Sequence, residues 1–376
     1  MAAEPSSIFL ARPVEVPDGI PLAVKDLFDT AGLTTTYGSI VYADHVPEQS
    51  AEAVTRLESE GYANIGKTNL HEFAYGITSV NPHYGTVPNP SFPDRMAGGS
   101  SGGSAAALAA GLADAALGTD SGGSIRIPAA CCGIAGFKPS YGIVSLDGVF
   151  PLAPSFDHAG PMARSVRECR ELLEVLADDF APQALGSPEE VEVGVAWLDR
   201  ADPLVHARVR EATELFPRRR EIELPFAEDV SPVFMREAAD VHRDLFAEFA
   251  DSYGDNVRTK IQACLELPDA AYERGLRARE ELRERYESAI EGLDLVLTPT
   301  LGFVAPKLPA DDLEIRLDVI RLTIPFNAVG WPALSLPLGP AEDGLPASLQ
   351  IAGPVGSDAL VLATGELLET LLPSVS

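Results

Sequence analysis

The stretch GGSSGGSAAALAAGLADAALGTDSGGS, residues 98 to 124, constrains the fold more tightly than any other part of the chain. It is built almost wholly from Gly, Ser and Ala, which let backbones approach more closely than large side chains allow. SAAALAA, from Ser104, reads as a short helix stopped by Gly111, and LADAALG returns as a strand. The seven helical residues advance about 10 Å, and four or five strand residues recover about 15 Å. The Ser-Gly clusters at 98 to 104 and 121 to 124 are therefore expected side by side at one end of a sheet. Glycine-flanked N–H groups at SGGS could then face a developing oxyanion, with a serine hydroxyl in reach. The plainer alternative is a pair of flexible glycine turns, and the tight hairpin between the clusters counts against it.

Elsewhere short apolar strands alternate with helices. IPLAVKDLFDT reads as a strand ending near Lys25, SAEAVTRLESEG as a helix closed by Gly61, and YANIGK as a strand. Ser165 with Glu168 forms a capping box for SVRECRELLEVLAD. DDFAPQALGSPEE is a polar surface linker, VEVGVAW resumes as a strand, and residues 203 to 290 are largely helical by apolar periodicity. DLVLTPT and ASLQIAG read as strands, and SDALVLATGELLETLL as a terminal amphipathic helix. This alternation predicts an α/β protein.

Composition narrows the function. At 376 residues and 46 % apolar content, the chain can bury a sizeable core. Fifty-six acidic against 28 basic residues give a formal charge of -28, which repels phosphate backbones and anionic membranes. Direct nucleic-acid and membrane partners are thereby disfavoured. Only five of the basic residues are lysines, a bias matching GC-rich codons or salt adaptation. Cys131, Cys132, Cys169 and Cys264 show no C-x-x-C spacing, there is no secretory h-region, and no window of eighteen apolar residues occurs. A reducing cytoplasm is the expected location.

Two motifs suggest other chemistries. Gly61, Gly66, Lys67 and Thr68 match G-x-x-x-x-G-K-[ST], a phosphate-cradling loop when it joins a strand to a helix. Here Gly61 follows a helix and strand-like YANI occupies the loop, so Gly61 reads as a helix cap and Lys67 as a strand end. Gly98-Gly99-Ser100-Ser101-Gly102 matches the G-x-S-x-G elbow of α/β-hydrolases, but NPSFPDRMA before it holds two prolines and no strand pattern. His158, His206 and His242 could complete such a triad, yet none sits in an evident loop motif.

GGSSGGSAAALAAG followed by GTDSGGSIRIPAACCGIAGFKPSYG closely resembles the amidase signature family, which includes bacterial amidases and the A subunit of glutamyl-tRNA amidotransferase. PLAVKD, GKTNLHEFAYG, LTPT and RLTIPFNAVGWPALSLPLG are similar to the family's recurring stretches, in the same order. The resemblance implies a central mixed sheet flanked by helices, an α/β/α sandwich, in a single amidase domain over 1-376. Its core would span about 20-165 and 291-376, around a variable helical region at about 180-290. The implied catalytic residues are Lys25, a bridging Ser100 preceded by a cis peptide, and the nucleophile Ser124. Backbone N–H groups of Ser121, Gly122, Gly123 and Ser124 correspond to the oxyanion hole, and Ser101, Asp120 and Arg126 to supporting positions. Tyr75 stands where many members carry a methionine lining the acyl pocket.

The implied reaction is hydrolysis of a small-molecule amide through an acyl-enzyme, with no cofactor or metal and with a homodimer allowed. Lys25 serves as base only when neutral, so its pKa must fall by two to three units from about 10.4 through burial and a lack of nearby carboxylates. Asp26 must then point away. The chain is short for the family, with Lys25 near its start and a loss after residue 180, which points to a more open site or one completed by another subunit. Rival readings are a glutaminase subunit of a tRNA-dependent amidotransferase, an esterase or α/β-hydrolase-type serine hydrolase, and a catalytically silent binding protein.

Overall fold

The computed structural model describes residues 7–373. Along the first half run β1 (Phe9–Ala11), β2 (Ile20–Lys25), α1 (Glu52–Ser59), β3 (Tyr62–Thr68), the ribbon β4 (Val80–Asn81) and β5 (Gly85–Thr86), α2 (Gly102–Ala109), β6 (Ala115–Asp120), α3 (Arg126–Cys132), β7 (Ala135–Lys138), β8 (His158–Ala163) and α4 (Val166–Leu176). The second half holds β9 (Val193–Val195), α5 (Pro203–Thr213), β10 (Arg219–Glu221), α6 (Ser231–Phe249), α7 (Asp255–Leu265), α8 (Asp269–Ala289), β11 (Leu295–Pro299), α9 (Asp312–Ile320), α10 (Ile324–Ala328), β12 (Ala333–Pro340), β13 (Pro346–Ala352) and α11 (Asp358–Leu371).

Eleven strands form one sheet in the order β1-β3-β2-β6-β8-β7-β12-β13-β11-β9-β10. Pairing is parallel for β3-β2-β6 and for β11-β9-β10, and antiparallel through the centre. The mixed sheet anticipated for this chain is therefore present. Alternation along each strand divides its side chains between two faces. Leu22, Val24, Leu295 and Leu297 pack with Val54 of α1, Leu172 of α4, Val209 of α5 and Leu362 of α11. Ala23 and Ala116 pack instead with Ala105 and Leu108 of α2, while Val296 meets Phe234 of α6, Ile261 of α7 and Leu282 of α8. Helices thus cover both faces, and the apolar area they remove from water at roughly 25 cal/mol per Å² holds the layers together.

Local signals set the ends of these elements. Gly61 (φ 88°) and Gly111 (φ 68°) adopt the left-handed conformation just beyond α1 and α2, where a side chain would be strained. Ser165 Oγ accepts from the Glu168 N–H at 3.3 Å, and Glu168 Oε2 accepts from the Ser165 N–H at 3.0 Å, closing the capping box of α4. The largely helical stretch 203 to 290 does contain α5 to α8, but β10 interrupts it. All three β10 residues are exposed, so this edge strand carries no apolar alternation to reveal it.

Candidate active site

β2 delivers Lys25 to the end of the sheet, where it is fully buried. Its Nζ donates to Ser100 Oγ and to Thr119 Oγ1, each at 2.7 Å. Burial lowers its pKa from 10.5 to about 7, against the opposing pull of Asp120 and Asp157. The expectation of no nearby carboxylate needs correction: two are close enough to favour the ammonium, and desolvation outweighs both. Thr119 escaped the sequence reading, because only the parallel register, with Val24 opposite Leu117, brings β6 beside the lysine.

Asp26 does turn away from Lys25. Its carboxylate lies 3.0 Å from Lys67 Nζ, with both side chains fully buried, and accepts from Thr36 N–H and Oγ1 at 2.8 and 2.6 Å. Lys67 also donates to the Phe28 carbonyl (2.6 Å) and Thr35 Oγ1 (2.7 Å). The GKT lysine therefore serves an internal carboxylate at the end of β3, and the phosphate-loop pattern is a coincidence of spelling.

The two Ser-Gly clusters are stitched together as the hairpin argument required. The Ser101 N–H donates to the Ser124 carbonyl at 3.2 Å, Ser101 Oγ to the Thr119 carbonyl at 3.2 Å, and Ser104 Oγ to the Leu117 carbonyl at 2.9 Å. The Gly99–Ser100 peptide is cis. A Cβ on Gly102 would sit 2.4 Å from Ser79 Oγ, and one on Gly103 2.3 Å from the Asn69 carbonyl oxygen, so this close approach excludes any side chain. Ser100 and Lys25 are completely buried, whereas Ser124 retains 7 % exposure and is the outermost of the three.

Asp120 organises the SGGS turn. It accepts from the N–H groups of Gly123 (2.7 Å) and Ile125 (3.1 Å) and from Arg126 Nη2 (2.9 Å) and Nε (3.0 Å). Burial opposes its ionisation, but the Arg126 guanidinium overcomes this and holds the carboxyl well below the usual range. Arg126 is in turn fixed by Asn327 Oδ1 (2.7 Å), Gln350 Oε1 (2.7 Å) and the Thr323 carbonyl (2.9 Å). Asn327, Gln350 and Asp157, which accepts from Ser121 Oγ at 2.5 Å, were not anticipated. They reach the turn from distant positions, and although Asn327 lies in the family-like stretch RLTIPFNAVGWPALSLPLG, no local signal ties any of the three to the turn.

A model of the amidase family matches residues 12–362. The chain belongs to the amidase family. It is 36% identical, over 93% of its length and 81% of the relative's, to the glutamyl-tRNA(Gln) amidotransferase A subunit of Roseiflexus castenholzii. It is 34% identical to the same-named protein of Natronomonas pharaonis, covering 93% of this chain and 95% of that one. Among solved structures, a crystal structure of an amidase superposes with a TM-score of 0.86 at 39% identity, covering 95% of this chain and 85% of that chain. The glutamyl-tRNA(Gln) amidotransferase A subunit from Thermotoga maritima gives 0.83 at 30%, covering 97% and 87%. The reaction class is that of the family, hydrolysis of an amide C–N bond.

Within this amidase, the histidines required by the elbow alternative are engaged with other groups, although His158 lies beside the SGGS turn, its Nδ1 3.2 Å from the Asp120 carbonyl. His158 Nδ1 bonds the Phe156 carbonyl at 2.6 Å, His206 Nδ1 the Leu198 carbonyl at 2.9 Å, and His242 Nδ1 the Tyr253 hydroxyl at 2.9 Å. No strand precedes Gly98 within residues 87 to 97. Tyr75 is buried, with its hydroxyl 3.3 Å from Cys264 Sγ and its ring 4.8 Å from Lys260 Nζ. A cavity of about 140 Å³ is lined by Thr119, the partner of Lys25, together with Ser121, Asp157, Leu27, Val149 and Phe150. A larger concavity of about 1110 Å³, around Trp197, His206 and Arg219, shares no lining residue with it.

Proposed function

We propose that the enzyme hydrolyses a small-molecule carboxylic amide, with Ser124 as nucleophile and Ser100 and Lys25 as its proton relay. The observation that carries this reading is the 2.7 Å contact between Ser100 Oγ and a lysine amine whose pKa burial brings to about 7. A neutral Lys25 takes the Ser100 proton as Ser100 takes that of Ser124, and the Ser124 oxygen bonds to the amide carbon. The Gly123 N–H is engaged by Asp120, which leaves the N–H groups of Ser121, Gly122 and Ser124 to receive the oxyanion. Collapse breaks the C–N bond, the nitrogen takes a proton from Ser100, and Ser100 is reprotonated by Lys25. Water then hydrolyses the ester, giving the acid and free Ser124.

Ser101, Asp120 and Arg126 hold the turn, and Tyr75, packed on Phe234 at 5.7 Å, backs the acyl side. The reading takes the chain as one catalytic domain acting in the cytoplasm without a cofactor. Four free, buried cysteines fit a reducing compartment, and no helix of the described residues is long and apolar enough to cross a membrane. A second reading, a glutaminase subunit delivering ammonia to a partner, is favoured by the names of the relatives. The purified chain assayed alone on an amide panel separates the two. Turnover that disappears in Ser124→Ala supports the first, while glutamine hydrolysis only with an added partner supports the second.

A further inference from the structure

We infer that the 140 Å³ cavity receives the substituent on the amide nitrogen, so that the preferred substrates are N-substituted amides carrying an apolar group of about phenyl size. The inference rests on the serine-nucleophile reading above. In that mechanism the leaving nitrogen is protonated by the Lys25–Ser100 pair and must face it, while the carbonyl oxygen faces the SGGS turn. The cavity touches the proton-donating pair through Thr119, which is in its lining and bonds Lys25. Thr119 accepts from Lys25 at 2.7 Å, and Ser121, also in the lining, has its hydroxyl turned onto Asp157 at 2.5 Å.

The chemistry of the lining selects an apolar, uncharged group. Leu27, Leu146, Val149, Phe150 and Leu152 form the walls, and no lining residue is a lysine or arginine that could hold a carboxylate or phosphate. Asp157 is the one carboxyl present, and it already accepts from Ser121 and from the N–H groups of Leu152 (2.8 Å) and Ala153 (3.1 Å). Burial pushes its pKa up, which further disfavours a free anion there. The volume is close to the roughly 150 Å³ of an apolar cavity that accepts one benzene molecule. Pro151 and Pro154 in its lining are both exposed, so the cavity reaches solvent. Phe150 is braced by Tyr37 at 4.6 Å and Phe73 at 5.3 Å, which keeps the wall in place.

The test uses the whole purified enzyme and amides of one acid, as the primary amide and its N-methyl, N-butyl, N-benzyl and N-(naphthylmethyl) derivatives. Burial of each methylene should raise kcat/KM about fourfold up to butyl or benzyl, and the naphthylmethyl amide should fall back because it overfills the cavity. Val149→Phe should lower the benzyl-to-methyl ratio at least tenfold and leave the slope of an acyl-length series as in wild type. Wild-type rates that are flat across the nitrogen series, or a Val149→Phe effect that follows the acyl chain, would overturn the assignment. Fluorophosphonate labelling of Ser124 distinguishes the two failures. A labelled enzyme with a flat nitrogen series refutes this inference alone, whereas an unlabelled, inactive enzyme refutes the catalytic reading with it.

Discussion

Replacing Lys25 separates its catalytic use from its effect on stability. The fall from 10.5 to about 7 corresponds to about 5 kcal/mol of destabilised ammonium in the folded protein. An unperturbed lysine would be neutral in only about one molecule in three thousand at pH 7, against about half for Lys25. Because the base must be neutral, kcat/KM should rise tenfold per pH unit below about 7 and level off above it. Lys25→Arg should lose at least about a thousandfold, since guanidinium stays protonated. In unfolding, the free chain keeps this proton up to about 10.4, so between pH 7 and 10.4 the unfolded state binds more protons and stability rises with pH. Lys25→Met removes the burial penalty but also the contacts to Ser100 and Thr119. The net gain should be about 2 to 4 kcal/mol at pH 6, closing toward pH 10. Urea unfolding at pH 6 and 9.5, beside pH-rate profiles from pH 5 to 9, reads both effects. A nearly unimpaired Lys25→Arg enzyme, or a Lys25→Met protein less stable than wild type at pH 6, would refute the reasoning.

The other buried contacts give sharper single outcomes. Lys67→Ala strands the Asp26 carboxylate and should cost about 3 to 5 kcal/mol in urea unfolding, with phosphate release from ATP at background in both proteins. Arg126→Met leaves Asp120 buried without its cation and should lose about as much stability together with most turnover, measured on the same samples. Gly123→Ala puts a Cβ 2.4 Å from Thr323 Oγ1 at a φ of 129°, and should lower kcat at least about a hundredfold by distorting the turn. An active Gly123→Ala enzyme would show that the turn tolerates that shift.

What the sequence disclosed depended on how local each signal was. The strand ending at Lys25, the short helix stopped at Gly111 and the capping box of Ser165 rest on neighbours within a few residues, and all are present. The pairing of the two Ser-Gly clusters followed from chain geometry, because a helix of about 12 Å and a return strand of about 20 Å are long enough to bring the chain back to the same end of the sheet. The roles given to Ser124 and Ser100 came from family likeness, not from periodicity. Asn327 and Gln350 were illegible because each reaches Asp120 or Arg126 across some two hundred residues. Thr119 became visible only once β2 and β6 were known to be adjacent. The exposed β10 carried no pattern at all, as an edge strand of Arg219, Arg220 and Glu221 resembles a loop.

The central claim is that Ser124 carries the acyl group and is activated by Lys25, and covalent trapping tests it most directly. No lysine or arginine lies between Arg95 and Arg126, so trypsin releases Met96 to Arg126 as one peptide holding both Ser100 and Ser124. Fragment-ion mapping after fluorophosphonate treatment should place the adduct on Ser124 in the wild type. Labelling should be absent in Ser124→Ala and strongly slowed in Lys25→Ala. An adduct on Ser100 or outside this peptide, or labelling of Ser124 at the wild-type rate without Lys25, would contradict the account.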